Sequence, residues 1–407
     1  MDSAAPLGPW DRLLSLRDRL VASPRFRAWA AAVPLTRPVA RRRTRALFDL
    51  CAGFVYSQVL HACTELRLFD ILAAGPQTSQ ALAARTGLPP PGMERLLLAA
   101  VSLRLLARRG GGRFGLGPLG AAMVGNAGIT QMVLHHRMLY ADLRDPVALL
   151  RRDAAGSATP AIGPATGPAV VPATGDAADG AAAQSAAQPT ALSGYWAYSG
   201  NPGAAALGAE VAAYTALMAA SQPLVSGEVL AAYPVRRHRL LMDVGGGDGS
   251  FALAAGAAAP GLRLRVFDLP PVAARAAARF GAAGLGDRAE AVGGDFLHGP
   301  LPPGADLISL VRVVHDHDDA DALRILRAAH AALPPGGTLL LAEPMSGTPG
   351  AEPIGDAYFG FYLLAMGHGR TRTPAELTAM LREAGFAAVR RHRTRTPLLA
   401  GVLTAVR

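Results

Sequence analysis

The segment from Arg239 to Phe251 constrains the fold of this chain more than any other part of the sequence. It is an apolar run that ends at Val244, followed by glycines at positions 245, 247 and 249. The run predicts a buried strand, the glycines predict a tight turn, and the alanine-rich residues that follow predict a helix. Such a unit presents backbone N–H groups and the positive end of a helix dipole to a ligand lying against the glycines. The segment therefore predicts a cradle for a nucleotide or a nucleoside.

The spacing of the glycines narrows the choice of ligand. A dinucleotide-binding turn has the pattern G-x-G-x-x-G/A, which requires Gly or Ala at position 250, where this chain has Ser250. The turn instead contains Asp243, Gly245 and Gly247 at alternate positions, and Asp268 ends the next apolar run. A carboxylate at that distance accepts hydrogen bonds from ribose hydroxyls. We therefore expect Asp243, Gly245, Gly247 and Asp268 to bind a nucleoside, and a dehydrogenase that binds NAD stays an alternative.

A second pair of candidate ligand-binding residues, Asp295 and Phe296, stands where the third strand of the sheet is expected to end. The carboxylate of Asp295 can accept a hydrogen bond from the exocyclic amine of adenine. The ring of Phe296 can pack on the face of the base. We therefore add both residues to the predicted nucleoside site.

The candidate catalytic residue is His315, which follows a predicted buried strand over residues 305–314. The carboxyl ends of parallel strands border the ligand crevice in open α/β sheets. An imidazole there has a pKa near neutrality and can accept a proton from a hydroxyl group. A metal site in the run from His315 to Asp319 is the alternative, but consecutive residues cannot all converge on one ion. We therefore expect no metal, and we expect Asp318 and Asp319 to begin the next helix.

Five motifs occur in one order along about a hundred residues. They are Asp-Val-Gly-Gly-Gly-Asp-Gly from 243, Phe-Asp-Leu-Pro from 267, Gly-Gly-Asp-Phe from 293, Val-Val-His-Asp-His-Asp-Asp from 313 and Ala-Leu-Pro-Pro-Gly-Gly-Thr-Leu-Leu-Leu-Ala-Glu from 332. Together they resemble the S-adenosylmethionine-dependent O-methyltransferases of the caffeate and acetylserotonin type. Residues 48–58 and 366–373 are similar to the carotenoid-pathway members of photosynthetic bacteria, the hydroxyneurosporene O-methyltransferases.

The resemblance implies S-adenosylmethionine as the cofactor, His315 as the general base and Glu343 as the residue that orients it. An exposed glutamate at the end of a strand is the alternative for Glu343. Tyr214 and Met218 match positions that line the cofactor and acceptor pocket, although a Tyr and a Met one helical turn apart also fit a helix core. Thr371 stands where the plant enzymes have a second glutamate, which indicates a different acceptor geometry.

The expected architecture is α/β, with a C-terminal Rossmann-like, doubly wound sheet and an N-terminal α-helical and winged-helix dimerisation domain. The predicted segments are a basic amphipathic arm (1–45), the helical and winged-helix domain (46–150), a low-complexity disordered insertion (151–192) and the cofactor-binding domain (193–407). A winged-helix regulator that senses S-adenosylmethionine and binds DNA is the rival of another class. The helix predicted over residues 93–106 carries many leucines and few side chains that could read bases, so we expect no nucleic acid partner.

Charge and cysteine content bear on partners and location. The net charge is +10, and residues 1–45 contribute +7 through ten arginines and three aspartates. Such an arm can contact an anionic membrane surface or pack on a partner subunit of a homodimer. Cys51 and Cys63 fit reduced, buried thiols of a cytoplasmic protein.

The resemblance to the carotenoid-pathway enzymes also implies the methyl acceptor. The expected acceptor is an apolar hydroxylated small molecule such as an acyclic carotenoid with a tertiary hydroxyl; a phenolic, polyketide or bacteriochlorophyll precursor is the alternative.

Overall fold

The computed structural model describes residues 8–156, 190–195 and 208–407. This part of the chain divides into two compact units, residues 8–124 and the described residues from 125 onward. The boundaries predicted at residues 45, 150 and 192 stay predictions. The core of the predicted insertion, residues 157–189, lies outside the described residues.

The first unit is helical, with one small antiparallel sheet of strand order β1-β3-β2. Its helices are α1 (Pro9–Ala22), α2 (Pro24–Ala32), α3 (Arg37–Glu65), α4 (Leu68–Ala73), α5 (Ser79–Thr86), α6 (Pro90–Ser102) and α7 (Pro118–Ala121). Its strands are β1 (Gln77–Thr78), β2 (Leu106–Arg109) and β3 (Arg113–Leu116). Helix α6 ends four residues before the predicted position because Leu103 leaves the helix and Arg104 adopts a left-handed φ of 61°.

Helix α3 exposes most of its apolar side chains. Its buried residues are His61, Cys63 and Thr64, all in the last two turns. Cys63 is buried as expected, whereas Cys51 is exposed, so the expectation of a buried thiol is wrong at Cys51, which lies in the part of α3 without buried residues. By length and composition alone α3 could also cross a membrane, which is weak evidence because one such helix also occurs in the cores of other proteins.

The second unit contains a seven-stranded sheet of order β6-β5-β4-β7-β8-β10-β9. Its strands are β4 (Leu240–Val244), β5 (Arg263–Asp268), β6 (Ala289–Gly293), β7 (Leu307–Val311), β8 (Thr338–Glu343), β9 (Ala387–His392) and β10 (Gly401–Val406). Its helices are α8 (Ala127–Asp142), α9 (Pro146–Gly156), α10 (Ala191–Tyr195), α11 (Gly208–Ala232), α12 (Ser250–Ala258), α13 (Pro270–Ala282), α14 (Asp319–Ala332), α15 (Gly360–Met366) and α16 (Pro374–Glu383).

The sheet confirms the predicted α/β class and adds a mixed edge. Strands β4 to β8 are parallel, whereas β10 is antiparallel to both β8 and β9. The chain runs from β4 outward to β5 and β6 and then returns to the other side of β4 with β7. Ligands bind at such a reversal of strand order, outside the carboxyl ends of the strands. The fold therefore brings the glycine turn after β4 and the His315 segment after β7 to one edge.

One predicted strand end is corrected. Strand β7 ends at Val311 and not at 314, because Arg312 adopts a left-handed φ of 58°. Of the range predicted as the insertion, residues 151–156 form the end of α9 and residues 191 and 192 belong to α10. The carboxylate of Asp142 accepts hydrogen bonds from the N–H groups of Ala191 and Leu192, and Leu192 is buried.

Candidate active site

The glycine turn after β4 has the backbone of a ligand cradle. Gly245 and Gly247 have φ values of +67° and +60°, a region that favours glycine. A Cβ at Gly245 would come 2.9 Å from Cγ2 of Val313, so the turn packs directly against the segment that leads to His315. Beside Gly247 there is open space, because among the described residues no atom beyond its chain neighbours lies within 4 Å of the missing Cβ. The turn therefore needs Gly245 for packing and leaves room next to Gly247.

Two buried carboxyl groups lie beneath this turn. Asp268 accepts hydrogen bonds from the N–H groups of Gly247, at 2.8 Å, and Leu269, at 2.7 Å. Asp243 accepts one from the hydroxyl of Ser309 at 2.6 Å, and its other oxygen, Oδ2, has no partner among the described residues. A buried carboxylate oxygen without a donor is costly, and a ligand that brings an N–H or O–H group would satisfy it.

Burial sets the protonation of these two groups. It raises the pKa of Asp243 to about 7, and the nearby carboxyl of Asp268 adds to the effect while the hydrogen bond from Ser309 opposes it. Burial likewise raises the pKa of Asp268 to about 6, against the backbone hydrogen bonds that favour the carboxylate. Near neutral pH the turn therefore stands over carboxyl groups that are close to gaining or losing a proton.

Asp295 and Phe296 follow β6 at the same edge of the sheet. Asp295 is partly exposed and accepts hydrogen bonds from the N–H of Leu297, at 2.8 Å, and Nδ1 of His298, at 2.7 Å. The ring of Phe296 lies 3.6 Å from the Cβ position of Gly245. An aromatic ring that contacts the glycine turn and a carboxylate thus follow β6 at this edge of the sheet.

His315 lies in a single helical turn, Val314–Asp316, just beyond β7, and is 8% exposed. Its Nδ1 is 2.5 Å from Oε2 of Glu343, the last residue of β8. The other oxygen of Glu343 accepts the N–H groups of Val313, at 3.0 Å, and Val314, at 2.7 Å. One buried carboxylate therefore holds both the imidazole and the backbone that carries it.

The second ring nitrogen of His315, Nε2, is 3.1 Å from Oδ1 of Asp316. Burial lowers the pKa of His315, but the carboxylates of Asp316 and Glu343 raise it by more, so the net pKa lies above its ordinary value. Burial raises the pKa of Asp316 to about 7. Among the described residues, no group of three or more His, Cys, Asp and Glu side chains is arranged to hold a metal ion.

Arg312 connects the end of β7 to helix α11. Its guanidinium donates to the hydroxyl of Ser221, at 2.8 Å, and to the carbonyl of Met218, at 3.1 Å. The left-handed backbone of Arg312 costs on the order of 1–3 kcal/mol, and such strain is found mainly at functional sites. Met218 is thus tied to this edge of the sheet through its backbone. Tyr214 belongs to the same helix, but its side chain lies outside the described residues.

An uncharged aromatic wall lies beside His315. The ring of Phe359 meets the imidazole edge-on, with 6.0 Å between the ring centroids. Tyr358 and Tyr362 flank Phe359, and their hydroxyls pair with Nε2 of His136 and of His135, at 2.9 Å in each case. Burial raises the pKa of Tyr358 and lowers that of His135 to about 4. The tyrosine and this histidine are therefore neutral at pH 7.

Sequence reasoning missed three parts of this arrangement. Asp316 is predicted only as one member of the run from His315 to Asp319, and Arg312 has no predicted role. Arg372 lies within the segment 366–373, and its burial is not predicted, although it is one of the largest fully buried side chains. Thr371 and Thr373 flank Arg372, so no apolar pattern around it marks this side chain as buried.

Known proteins resemble this chain over most of its length. A model of the O-methyltransferase domain matches residues 204–387, and a model of the O-methyltransferase dimerisation domain matches residues 48–126. The chain is 42% identical to a demethylspheroidene O-methyltransferase of Cereibacter sphaeroides over 391 residues, which are 96% of this chain and 94% of that protein. It is 36% identical to an acetylserotonin O-methyltransferase of Mus musculus molossinus over 88% of this chain and 87% of that one.

Solved structures show the same fold. The structure of human N-acetylserotonin methyltransferase in complex with S-adenosylmethionine superposes with a TM-score of 0.68 at 25% identity, over 90% of this chain and 97% of that one. A mitomycin 7-O-methyltransferase gives a TM-score of 0.67 at 23% identity, over 91% and 99% of the two chains. The family predicted from the motifs is thus confirmed: this chain belongs to the O-methyltransferases and carries both their catalytic and their dimerisation domains.

Proposed function

We propose that this protein transfers a methyl group from S-adenosylmethionine to a hydroxyl group, with His315 as the general base. The observation that carries the proposal is the pairing of His315 with Glu343, beside a glycine turn that packs against Val313. A base oriented by a carboxylate is the arrangement that proton abstraction from a hydroxyl requires. The family to which the chain belongs supports the same chemistry.

The residues of the turn fit the cofactor. The unpartnered Oδ2 of Asp243 and the open space beside Gly247 provide an acceptor and the room for a nucleoside. Asp268 would hold the ribose, while Asp295 and Phe296 would hold the adenine. When bound, the cofactor supplies a methyl group that is already activated as an electrophile by its sulfonium.

The chain's own contribution is then to move one proton and to orient one oxygen. When Glu343 accepts a hydrogen bond from Nδ1–H of His315, the lone pair of the neutral ring is on Nε2, the nitrogen beside Asp316. An acceptor hydroxyl that donates to Nε2 loses its proton as its oxygen attacks, and this makes a poor nucleophile into a good one. Glu343 stabilises the imidazolium that forms, since its negative charge stays in contact with Nδ1.

We propose an apolar acceptor, specifically the tertiary hydroxyl of an acyclic carotenoid. The uncharged aromatic wall of Tyr358, Phe359 and Tyr362 beside His315 supports an apolar molecule, because it offers no ionic partner. The demethylspheroidene O-methyltransferases among the relatives support a carotenoid. A phenolic or polyketide acceptor is the alternative, and the acetylserotonin and mitomycin enzymes favour it.

Labelled S-adenosylmethionine tests the proposal. The purified protein is incubated with it and, in parallel, with a detergent-dispersed acyclic carotenoid bearing a tertiary hydroxyl, a simple phenol and a naphthol. We expect label in the carotenoid with the wild-type protein and none with His315→Asn. His392→Asn is the control. It alters a histidine of β9 that pairs with Thr404 of β10, and it keeps full activity. Label only in the phenols would refute the carotenoid acceptor, and label in none would refute the methyltransferase.

We also propose a cytoplasmic homodimer whose arm contacts an anionic membrane surface. The match to the dimerisation domain supports the homodimer. Within the arm, helices α1 and α2 expose four large apolar side chains among their arginines: Trp10, Leu13, Leu16 and Trp29. Apolar side chains combined with positive charge favour the interface of a bilayer with anionic lipids. The protein should therefore sediment with phosphatidylglycerol vesicles and not with phosphatidylcholine vesicles; equal recovery with both would contradict the contact.

A further inference from the structure

The segment Gly367–Thr373, between α15 and α16, lies against the turn that carries His315. Gly369 has a φ of +78°, and a Cβ there would overlap the carbonyl oxygen of His315 and the backbone of Asp316. The N–H of Gly369 donates to Oδ1 of Asp318 at 2.8 Å. The two backbones therefore meet without an intervening side chain, and only glycine permits this distance.

Arg372 joins the same two segments through a buried guanidinium, and the residue is 2% exposed. One terminal nitrogen donates to the carbonyl of Val314 at 2.8 Å, and the other donates to the carbonyl of His317, also at 2.8 Å. These carbonyls lie on either side of His315. Arg372 therefore fixes the backbone before and after the imidazole with a single rigid group.

Asp319 balances the charge of this guanidinium. Its Oδ1 accepts from Nε of Arg372 at 2.9 Å and from a terminal nitrogen at 2.7 Å. Asp319 also pairs with Arg370, which in turn pairs with Glu376. A buried guanidinium is stable only when its donors and its charge are satisfied. The donors of Arg372 bind Asp319 and the two carbonyls around His315, and Asp319 also supplies the opposite charge.

We infer that Gly369 and Arg372 are positioning residues for His315, holding the segment Val314–His317 through backbone groups that Glu343 does not bind. This inference rests on the proposed function, because His315 needs a fixed position if it acts as the general base. Glu343 fixes the ring and the N–H groups before it, while Arg372 and Gly369 fix the carbonyls around it. A displacement of a catalytic group by about 1 Å can lower the rate by about 10²-fold. Neither residue touches the reacting atoms.

Two variant pairs test the inference. Gly369→Ala is compared with Gly367→Ala, a glycine with a similar φ of +87° and, among the described residues, no atom beyond its chain neighbours within 4 Å of its missing Cβ. Both alanines are strained by a positive φ, but only the first also collides with the His315 turn. Arg372→Lys is compared with Arg327→Lys, which alters a surface arginine paired with Glu383. A lysine cannot reach both carbonyls and Asp319 from one position.

We expect Gly369→Ala and Arg372→Lys each to lower kcat by about 10–100-fold, with little change in KM for S-adenosylmethionine, while both controls keep wild-type kcat. A ¹⁵N-NMR titration of His315 in the free protein gives a readout that does not need activity. In the two test variants the pKa of His315 moves toward its ordinary value, because Asp316 and Glu343 no longer face the ring as closely, whereas Arg312 stays in place.

The outcomes separate this inference from the proposed function. Should wild-type protein methylate no hydroxyl, the proposed function fails, and the NMR titration still decides whether Gly369 and Arg372 hold the imidazole. Equal kcat and equal His315 pKa in Gly369→Ala and Gly367→Ala would overturn the inference. Binding of S-adenosylmethionine by calorimetry shows that a variant is folded; if Arg372→Lys does not fold, the glycine pair alone decides the matter.

Discussion

Replacement of Glu343 by glutamine tests how the imidazole is prepared for catalysis. Glutamine keeps the shape of the side chain, but it has one acceptor oxygen and one NH₂ group. The two backbone N–H groups of Val313 and Val314 hold the oxygen, so the NH₂ group faces Nδ1 of His315. The ring must then carry its proton on Nε2, the nitrogen that should accept the proton of the substrate. The variant therefore presents the wrong tautomer as well as a missing charge.

The missing charge and the reversed tautomer set the lower and upper limits of the loss of kcat in Glu343→Gln. A hydrogen bond to a charged group contributes about 1.5–3 kcal/mol, which corresponds to roughly 10–150-fold in rate. Reversal of the tautomer in a Ser-His-Asp triad costs about 10⁴-fold. We therefore expect kcat of Glu343→Gln to fall by between about 10 and 10⁴-fold. The affinity for S-adenosylmethionine should be unchanged, because the hydrogen bonds of Glu343 go to Val313, Val314 and His315 and not to the glycine turn.

The replacement Glu343→Gln should also change how kcat depends on pH. The pKa of His315 lies above its ordinary value of 6.5, and the base is active only when neutral, so wild-type kcat rises with pH through that raised pKa. Removal of the Glu343 charge lowers the pKa, so the rising limb moves to lower pH while the plateau falls. Methyl transfer measured across pH with saturating substrates shows both changes. Glu290→Gln is the control, because Glu290 is an exposed glutamate of β6 that pairs with Arg265 of β5. An unchanged kcat, or a rising limb moved to higher pH, would refute the reasoning.

Four further results are expected. Asp268→Ala should abolish cofactor binding by calorimetry, whereas His315→Ala should bind normally and lose turnover; retained turnover would remove the base assignment. Asp243→Asn should gain thermal stability over wild type at pH 8 but not at pH 4, because a raised folded pKa of about 7 means that the stability contribution of this carboxyl is lost as pH rises through it. An equal gain at both values would contradict this. Leu50→Arg, at an 81%-exposed site on α3, should give a monomer by sedimentation, and an intact dimer would exclude that face from the interface.

The sequence predicted the strand–turn–helix unit because its signals are local. Apolar residues up to Val244 and glycines with positive φ determine that unit over about fifteen residues. The proximity of His315 and Glu343 was also predictable, since both follow neighbouring parallel strands and the carboxyl ends of such strands meet at one edge. The motifs supplied the family.

The rest depended on side-chain directions that no periodicity encodes. The early end of β7 comes from one left-handed residue, Arg312, and arginine is not a residue type that favours that region. The contact of Asp316 with Nε2 requires a single helical turn at Val314–Asp316, which shifts each following side chain relative to a strand. The hydrogen bonds of Arg372 span 58 residues of sequence to Val314, and they follow from packing alone.

The most direct test of the account is a crystal structure with S-adenosylhomocysteine and a hydroxylated acceptor bound together. The account predicts the nucleoside against Gly247 and Asp268 and the acceptor oxygen within hydrogen-bond distance of Nε2 of His315, with Nδ1 still on Glu343. An acceptor oxygen held by another side chain, with the imidazole turned away from it, would contradict the central claim that His315 removes the proton of the hydroxyl.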